Sequence, residues 1–130
     1  MRSVAGIALR GGSVLVARRK AGGDMGGRWE FPGGGLEPGE DNAAALVREF
    51  DEEFKVPVRA LEALGESSFS HNGRDYILQA VRIELLGEPV ELFEHDEVLW
   101  ADAETLSRLD LADSDRSLVP FILPFLKQAR

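Results

Sequence analysis

The stretch Gly34-Gly-Leu-Glu-Pro-Gly-Glu40-Asp-Asn-Ala-Ala-Ala-Leu-Val-Arg48-Glu49-Phe50-Asp-Glu52-Glu53-Phe-Lys55-Val56 sets a glycine-rich turn in front of a helix. The helix is predicted over residues 41 to about 54, with Asp41 or Glu40 serving its N-terminal end and Pro57 marking a limit beyond the other. Ala43, Val47, Phe50 and Phe54 recur at helical spacing and form one narrow apolar stripe. Glu49, Glu52 and Glu53, at i, i+3 and i+4, share another face, well away from that stripe. Each like-charged pair at those spacings costs roughly 0.2–0.5 kcal/mol in a solvated helix. From Glu37 to Glu53 seven acids face a single base, Arg48, so little offsets that repulsion. Such a face is either a solvated acidic surface or a set of hard oxygen ligands for Mg2+ or Mn2+, which take carboxylates and keep waters and substrate phosphates at their other positions.

Upstream, the runs around residues 4–9 and 14–17 read as two strands joined by a Gly11-Gly12 hairpin turn. Arg18, Arg19 and Lys20 then open a glycine-rich loop reaching Gly27, and Trp29-Glu-Phe31 is a short extended piece stopped by Pro32 and the triple glycine Gly33-Gly34-Gly35. Downstream, strands are predicted near 58–65, 76–86 and 98–101, a short helix near 103–109, and a terminal helix over 117–128 whose regularity Pro120 and Pro124 oppose. The order is that of one mixed α/β domain over residues 1–130, without repeat or linker.

Apolar residues are 44% of the 130, enough for a core of that size, and no apolar stretch approaches the roughly 20 residues needed to span a bilayer. The opening Met1-Arg2-Ser3-Val4 lacks the apolar region of a secretory signal, and the chain has no cysteine, so disulfides and thiolate metal sites are excluded; both fit the cytoplasm. A net charge of −8 argues against general nucleic-acid binding. A small-molecule partner is expected, and Val119, Phe121, Ile122, Phe125 and Leu126 suit either a monomer's interior or a homodimer contact.

The quoted stretch resembles the Nudix box: Gly, five residues, Glu, seven residues, Arg-Glu, an apolar residue, any residue, Glu-Glu, any residue, Gly, apolar. Every fixed position agrees except the last glycine, which is Lys55, and the preceding Trp29-Glu-Phe-Pro-Gly-Gly34 is similar to the family's usual lead-in. The resemblance implies an α/β/α sandwich with a mixed central sheet. It implies that Glu49, Glu52 and Glu53 ligate the metal ions, with a backbone carbonyl from Gly33 or Gly34 nearby. Arg48 would orient Glu49, and Glu40 would tie the loop to the helix. The family glycine ends the helix in a left-handed conformation that costs another residue on the order of 1 kcal/mol. With lysine there, Pro57 and the following strand are expected to end the helix another way.

The segment Glu94-His95-Asp96-Glu97-Val-Leu-Trp100 is similar to one in MutT-type members, where an acid six residues before the tryptophan joins the metal site; Glu94 has that spacing. The general base stays open among Glu52, Glu53 and Glu94, and His95 reads as a structural or solvated residue. One of Arg18 and Arg19, and less strongly Arg28, is a candidate for substrate phosphates. Asp115 has the position from which MutT-type relatives read the base, though capping a helix would explain it equally. Phe69, His71 and Tyr76 suit a base pocket or ordinary packing. The implied reaction is hydrolysis of a nucleoside triphosphate, oxidised or cytidine-type, to the monophosphate and pyrophosphate. Hydrolysis of ADP-ribose, a nucleotide sugar or a dinucleoside polyphosphate is the alternative, although Ser70 and His71 stand where such members often carry Pro or Tyr. A non-catalytic binding module is the weakest reading, since the carboxylates are intact.

Overall fold

A computed structural model describes residues 1–22 and 26–127. The first hairpin forms as its sequence requires: β1 (Arg2–Arg10) and β2 (Ser13–Arg19) pair antiparallel around Gly11 and Gly12, both with positive φ (56° and 81°), the backbone a two-residue turn demands. The start of the glycine-rich loop follows β2, but its residues 23–25 lie outside the described part. β3 (Trp29–Glu30) pairs with β2. The triple glycine, read as a stop, is itself a strand, β4 (Gly33–Gly35), laid antiparallel on β1.

After α1 (Asn42–Phe54), the strands β5 (Val58–His71) and β6 (Arg74–Leu85) form a hairpin longer than predicted. Its turn is Asn72-Gly73, both with positive φ, and this pins the register out to His71↔Arg74. β7 (His95–Ala101) pairs with β2. The order is β3-β2-β1-β6-β5, with β4 also on β1 and β7 also on β2; β1 and β6 run parallel and the other named pairs antiparallel, so the sheet is mixed.

Alternation along the strands divides the core between two faces. Val4, Ala8, Leu15, Ala17 and Val81 pack against Leu46, Phe50 and Phe54 of α1. Ala5, Ile7, Val14, Val16 and Ala80 pack against Leu106 of α2 (Ala103–Arg108), Ile122 of α4 (Val119–Ile122) and Leu118, in the turn between α3 (Asp113–Arg116) and α4. The result is the expected α/β/α sandwich. Among the described residues, no helix is long and apolar enough to cross a membrane.

Three expectations are corrected. The terminal helix is not continuous: Pro120 opens α4 and Pro124 opens a 3-10 turn, Leu123–Phe125, because neither proline can supply an interior helical N–H; position 128 lies outside the described residues. The buried side of α1 is Ala45, Leu46, Phe50, Glu53 and Phe54, whereas Ala43 and Val47 are exposed. Glu53 and Val47 flank Phe50 at about 60° on opposite sides of the helix, and the sheet takes the Glu53 side. Glu53 is therefore not on a face apart from the apolar one.

The third concerns the end of α1. Lys55 adopts the left-handed conformation itself (φ 57°, ψ 36°), and its N–H donates to the Asp51 carbonyl at 3.0 Å. The lysine accepts the strain, partly offset by an exposed ion pair to Asp51 and a position 5.6 Å from the Phe93 ring. Lys55→Gly is accordingly expected to stabilise the protein by about 1 kcal/mol, a rise of ~3–5 °C in a thermal melt followed by circular dichroism. An unchanged or lower Tm would contradict the strain assigned to this position.

Candidate active site

α1 begins cleanly because the Asp41 carboxylate accepts the Ala44 N–H at 2.9 Å, which fixes the rotational setting of everything that follows. At the midpoint of α1 stands Arg48, the hub of the site. Its guanidinium donates to Glu40 through Nε (2.8 Å) and Nη2 (2.9 Å), to the Gly35 carbonyl (2.9 Å), to Glu49 (2.8 Å) and, more loosely, to Glu52 (3.4 Å). The hydrogen bonds from Arg48, then the backbone bond from Glu37, hold Glu40 down to about 2, and the bond to Glu40 raises Arg48 further. This network is what locks the turn before α1 to the helix.

Glu49, Glu52 and Glu53 differ in their surroundings. Glu52 is half exposed and Glu49 largely covered, while Glu53 is 1% exposed. Gly34 lies against Glu49: a Cβ at that position would sit 2.5 Å from Glu49 Oε1, so β4 and the carboxylate can be this close only with glycine there. Burial, a hydrogen bond with Glu49, and the charges of Glu30, Glu49 and Glu94 push Glu53 up to about 10. Its Oε2 is buried without a hydrogen-bond partner.

Two residues the sequence reading did not assign to the site complete this centre. Glu30 and His95, both buried, meet Glu53: His95 Nε2 is 2.9 Å from Glu30 Oε2 and 3.6 Å from Glu53 Oε1. The available signal for Glu30 was its place between Trp29 and Phe31, a carboxylate flanked by two core aromatics in an extended segment. His95 is no loop residue but the buried first residue of β7, opposite Arg19.

The arginines separate by strand alternation. Arg19 turns to Glu30 (3.2 Å) and feels the charges of Glu94 and Glu53. Arg18 turns away to Asp96 (2.8 Å) and Glu97 (3.4 Å), with its guanidinium 5.7 Å from the Trp29 ring. Arg28 is engaged by the Leu111 carbonyl (2.6 Å) and Asp113 (3.1 Å). Glu94 is exposed and close enough for its charge to act on Glu53.

Asp115 does not cap a helix. It lies inside α3, buried, where its Oδ1 accepts the Phe31 N–H at 3.0 Å. It faces a cavity of about 140 Å³ whose walls include Phe69, Leu78, Arg19, Glu30 and Gly34. Tyr76 stacks behind Phe69 at 5.2 Å, and His71 is exposed at the hairpin's end, away from these walls. One concave space thus joins a carboxyl group and an aromatic ring to the glycine strand beside Glu49.

Burial, then the charge of Glu30, pushes Asp115 up to about 7 against an ordinary 3.8. Between about pH 4 and pH 7 the folded protein therefore keeps a proton that the unfolded chain releases, and stability falls as pH rises through that window. Asp115→Asn keeps an oxygen for the Phe31 N–H without the charge. It is expected to match the wild type in urea unfolding near pH 4 and to exceed it by roughly 2–4 kcal/mol at about pH 8. A difference independent of pH would contradict the buried charge.

Residues 1–122 match the NUDIX domain family. The Mycobacterium tuberculosis protein named "Putative 8-oxo-dGTP diphosphatase 2" is 38% identical over 119 residues, which cover 89% of this chain and 83% of that one. The CTP pyrophosphohydrolase of Escherichia coli is 32% identical over 123 residues, covering 95% and 89%. Among solved structures, the ORF135 protein of E. coli superposes with a TM-score of 0.82 at 31% identity (95% and 88% covered). The MutT protein of Methanosarcina mazei does so with 0.80 at 25% identity (96% and 91% covered). The chain belongs to the Nudix hydrolase family.

Nudix hydrolases generally need a divalent metal ion, and the residues here fit one. Crowded carboxylates, a buried carboxylate oxygen without a partner, and a glycine strand close against Glu49 together make a pocket short of positive charge.

Proposed function

We propose that this chain is a nucleoside triphosphate pyrophosphohydrolase of the MutT type, releasing a nucleoside monophosphate and pyrophosphate with Mg2+ or Mn2+. The observation that carries this reading is the single cavity running from Asp115 and Phe69 to Gly34 and Glu30, a length of surface with base-recognising chemistry at one end and carboxylates at the other. The two curated relatives, acting by name on 8-oxo-dGTP and CTP, support the same substrate class.

Glu49, Glu52 and Glu53, with the Gly34 carbonyl, would hold the metal, and Glu94, in the loop before β7 and near enough for its charge to act on Glu53, would join them. When bound, the ion polarises the phosphoanhydride oxygens and favours a deprotonated water. The remaining work belongs to the chain. Arg48 keeps Glu49 from turning to solvent and reaches Glu52 only loosely. Arg19, rather than Arg18 or Arg28, has a guanidinium at the cavity and suits the substrate's phosphates. Glu52 and Glu94 are exposed and suit proton acceptance from water, whereas buried Glu53 suits holding charge. Phe69, backed by Tyr76, offers a stacking face to the base, and Asp115 Oδ2 an acceptor for an exocyclic amine.

The test is initial-rate kinetics with oxidised and ordinary guanine and cytosine triphosphates, alongside ADP-ribose and nucleotide sugars. One triphosphate group should be preferred, and Asp115→Ala should raise its KM ~10–100-fold with a smaller change in kcat. Turnover of the diphosphate compounds alone would discard the proposed substrate class.

A further inference from the structure

The buried group Glu30–His95–Glu53 joins three elements, β3, β7 and α1, at one point. With both groups ionised, as a bound cation would require, two buried carboxylates this near would repel and turn apart. The imidazole between them prevents this. Its ring lies flat on Phe54, 5.3 Å between centroids and 6° from parallel, and Phe54 is itself core. The side chain is 0% exposed, so neither water nor a rotamer change can relieve it.

The two ring nitrogens have different fates. Nε2 meets Glu30 at 2.9 Å with Glu53 just beyond at 3.6 Å; Nδ1 is buried with no partner. An unpaired N–H in that position costs more than a bare lone pair, and Glu30, ion-paired to Arg19, can accept but not donate. The proton therefore sits on Nε2. Glu30 is engaged on its other side by Arg19 at 3.2 Å, so a series of polar contacts, Arg19–Glu30–His95–Glu53, runs from the cavity to the last turn of α1, its final step an electrostatic approach of 3.6 Å rather than a hydrogen bond.

We infer that His95 is a positioning residue for the metal: its Nε2–H holds Glu30 and draws in one oxygen of Glu53, which fixes the direction of Glu53's unpartnered second oxygen. This rests on the reading of Glu53 as a metal-holding carboxylate. The imidazole does not ligate, because its proton-bearing nitrogen is the one turned toward the carboxylates. Hydrogen-bond partners that orient metal-holding groups are typically worth about 10–100-fold in metal affinity.

The experiment measures Mn2+ affinity by electron paramagnetic resonance on the full chain without nucleotide, so that it does not depend on the substrate assignment. His95→Phe keeps the stack on Phe54 and removes the donor; it should weaken Mn2+ binding ~10–100-fold. The kcat should fall at low metal and recover in excess Mn2+, with the nucleotide KM at saturating metal nearly unchanged. His95→Gln, whose amide nitrogen reaches the place of Nε2, should restore most of the affinity. Nitrogen-15 spectra of the wild type should show the Nε2–H form, a readout that needs no variant to fold. Wild-type Mn2+ affinity in folded His95→Phe, failure of the glutamine to rescue, or an Nδ1–H spectrum would each overturn the inference. A wild type that binds no Mn2+ would overturn the metal reading beneath it, a different and recognisable result.

Discussion

Glu53→Gln is expected to reduce Mg2+-dependent turnover by about 10^3-fold while making the metal-free protein more resistant to urea. The two effects share one cause. Glu53 is buried beside Glu30 and Glu49 with the charge of Glu94 nearby, and these push it up to about 10. An unfolded chain releases that proton near the ordinary value of 4.5, so the folded, metal-free state holds a proton that the unfolded state lacks across the whole interval. Stability then falls as pH rises from about 4.5 toward 10, and folding is opposed most at the alkaline end. Glutamine fills the same space and still presents an oxygen toward His95, but it has no charge to bury. At about pH 8 without metal, the urea midpoint of the variant should lie above that of the wild type. Added Mg2+ should raise the wild type's midpoint and leave the variant's nearly unmoved, since binding to the native state alone stabilises it. A variant less stable than the wild type under metal-free conditions would mean that the buried carboxylate is satisfied without a cation.

The second large effect is expected at Arg48. Arg48→Ala removes one cation from contact with Glu40, Glu49, Glu52 and the Gly35 carbonyl. What remains is a set of carboxylates with no other base between Glu37 and Glu53 to face them. Loss of hydrogen bonds to charged groups puts the destabilisation at roughly 2–3 kcal/mol, read from denaturant unfolding. Activity should fall about 10^2-fold because Glu49 and the turn before α1 lose their common anchor. Arg48→Lys should recover little of either, because an ammonium cannot span Glu40 with two parallel N–H bonds while also reaching Gly35. Near-complete rescue by lysine would show that charge alone, not the planar fork, is what the site requires.

The parts of this fold that were legible in the sequence are those set by local chemistry. Asp41 caps α1, Gly11-Gly12 turns the first hairpin, and the box spacing puts Arg48 and the three glutamates on adjoining faces. What escaped was set by partners distant in the chain. Periodicity gave α1 an apolar stripe but not the side from which the sheet would approach, so Val47 was placed inward and Glu53 outward, the reverse of what is found. Arg18 and Arg19 were equivalent until the pairing of Arg19 with His95 and of Arg18 with Glu97 fixed which one turns to the site. Glu30 looked like one charge in a short extended piece; only the meeting of β3, α1 and β7 makes it a neighbour of Glu53. Asp115 could not be told from a helix cap until α3 was seen to begin two residues before it.

The most direct test of the proposed reaction is product analysis by phosphorus-31 NMR with the preferred nucleoside triphosphate and Mg2+. Nucleoside monophosphate and pyrophosphate should appear in equal amounts, only with the divalent ion present, and not with Glu53→Gln. Nucleoside diphosphate with inorganic phosphate, or undiminished turnover in excess chelator, would contradict the account.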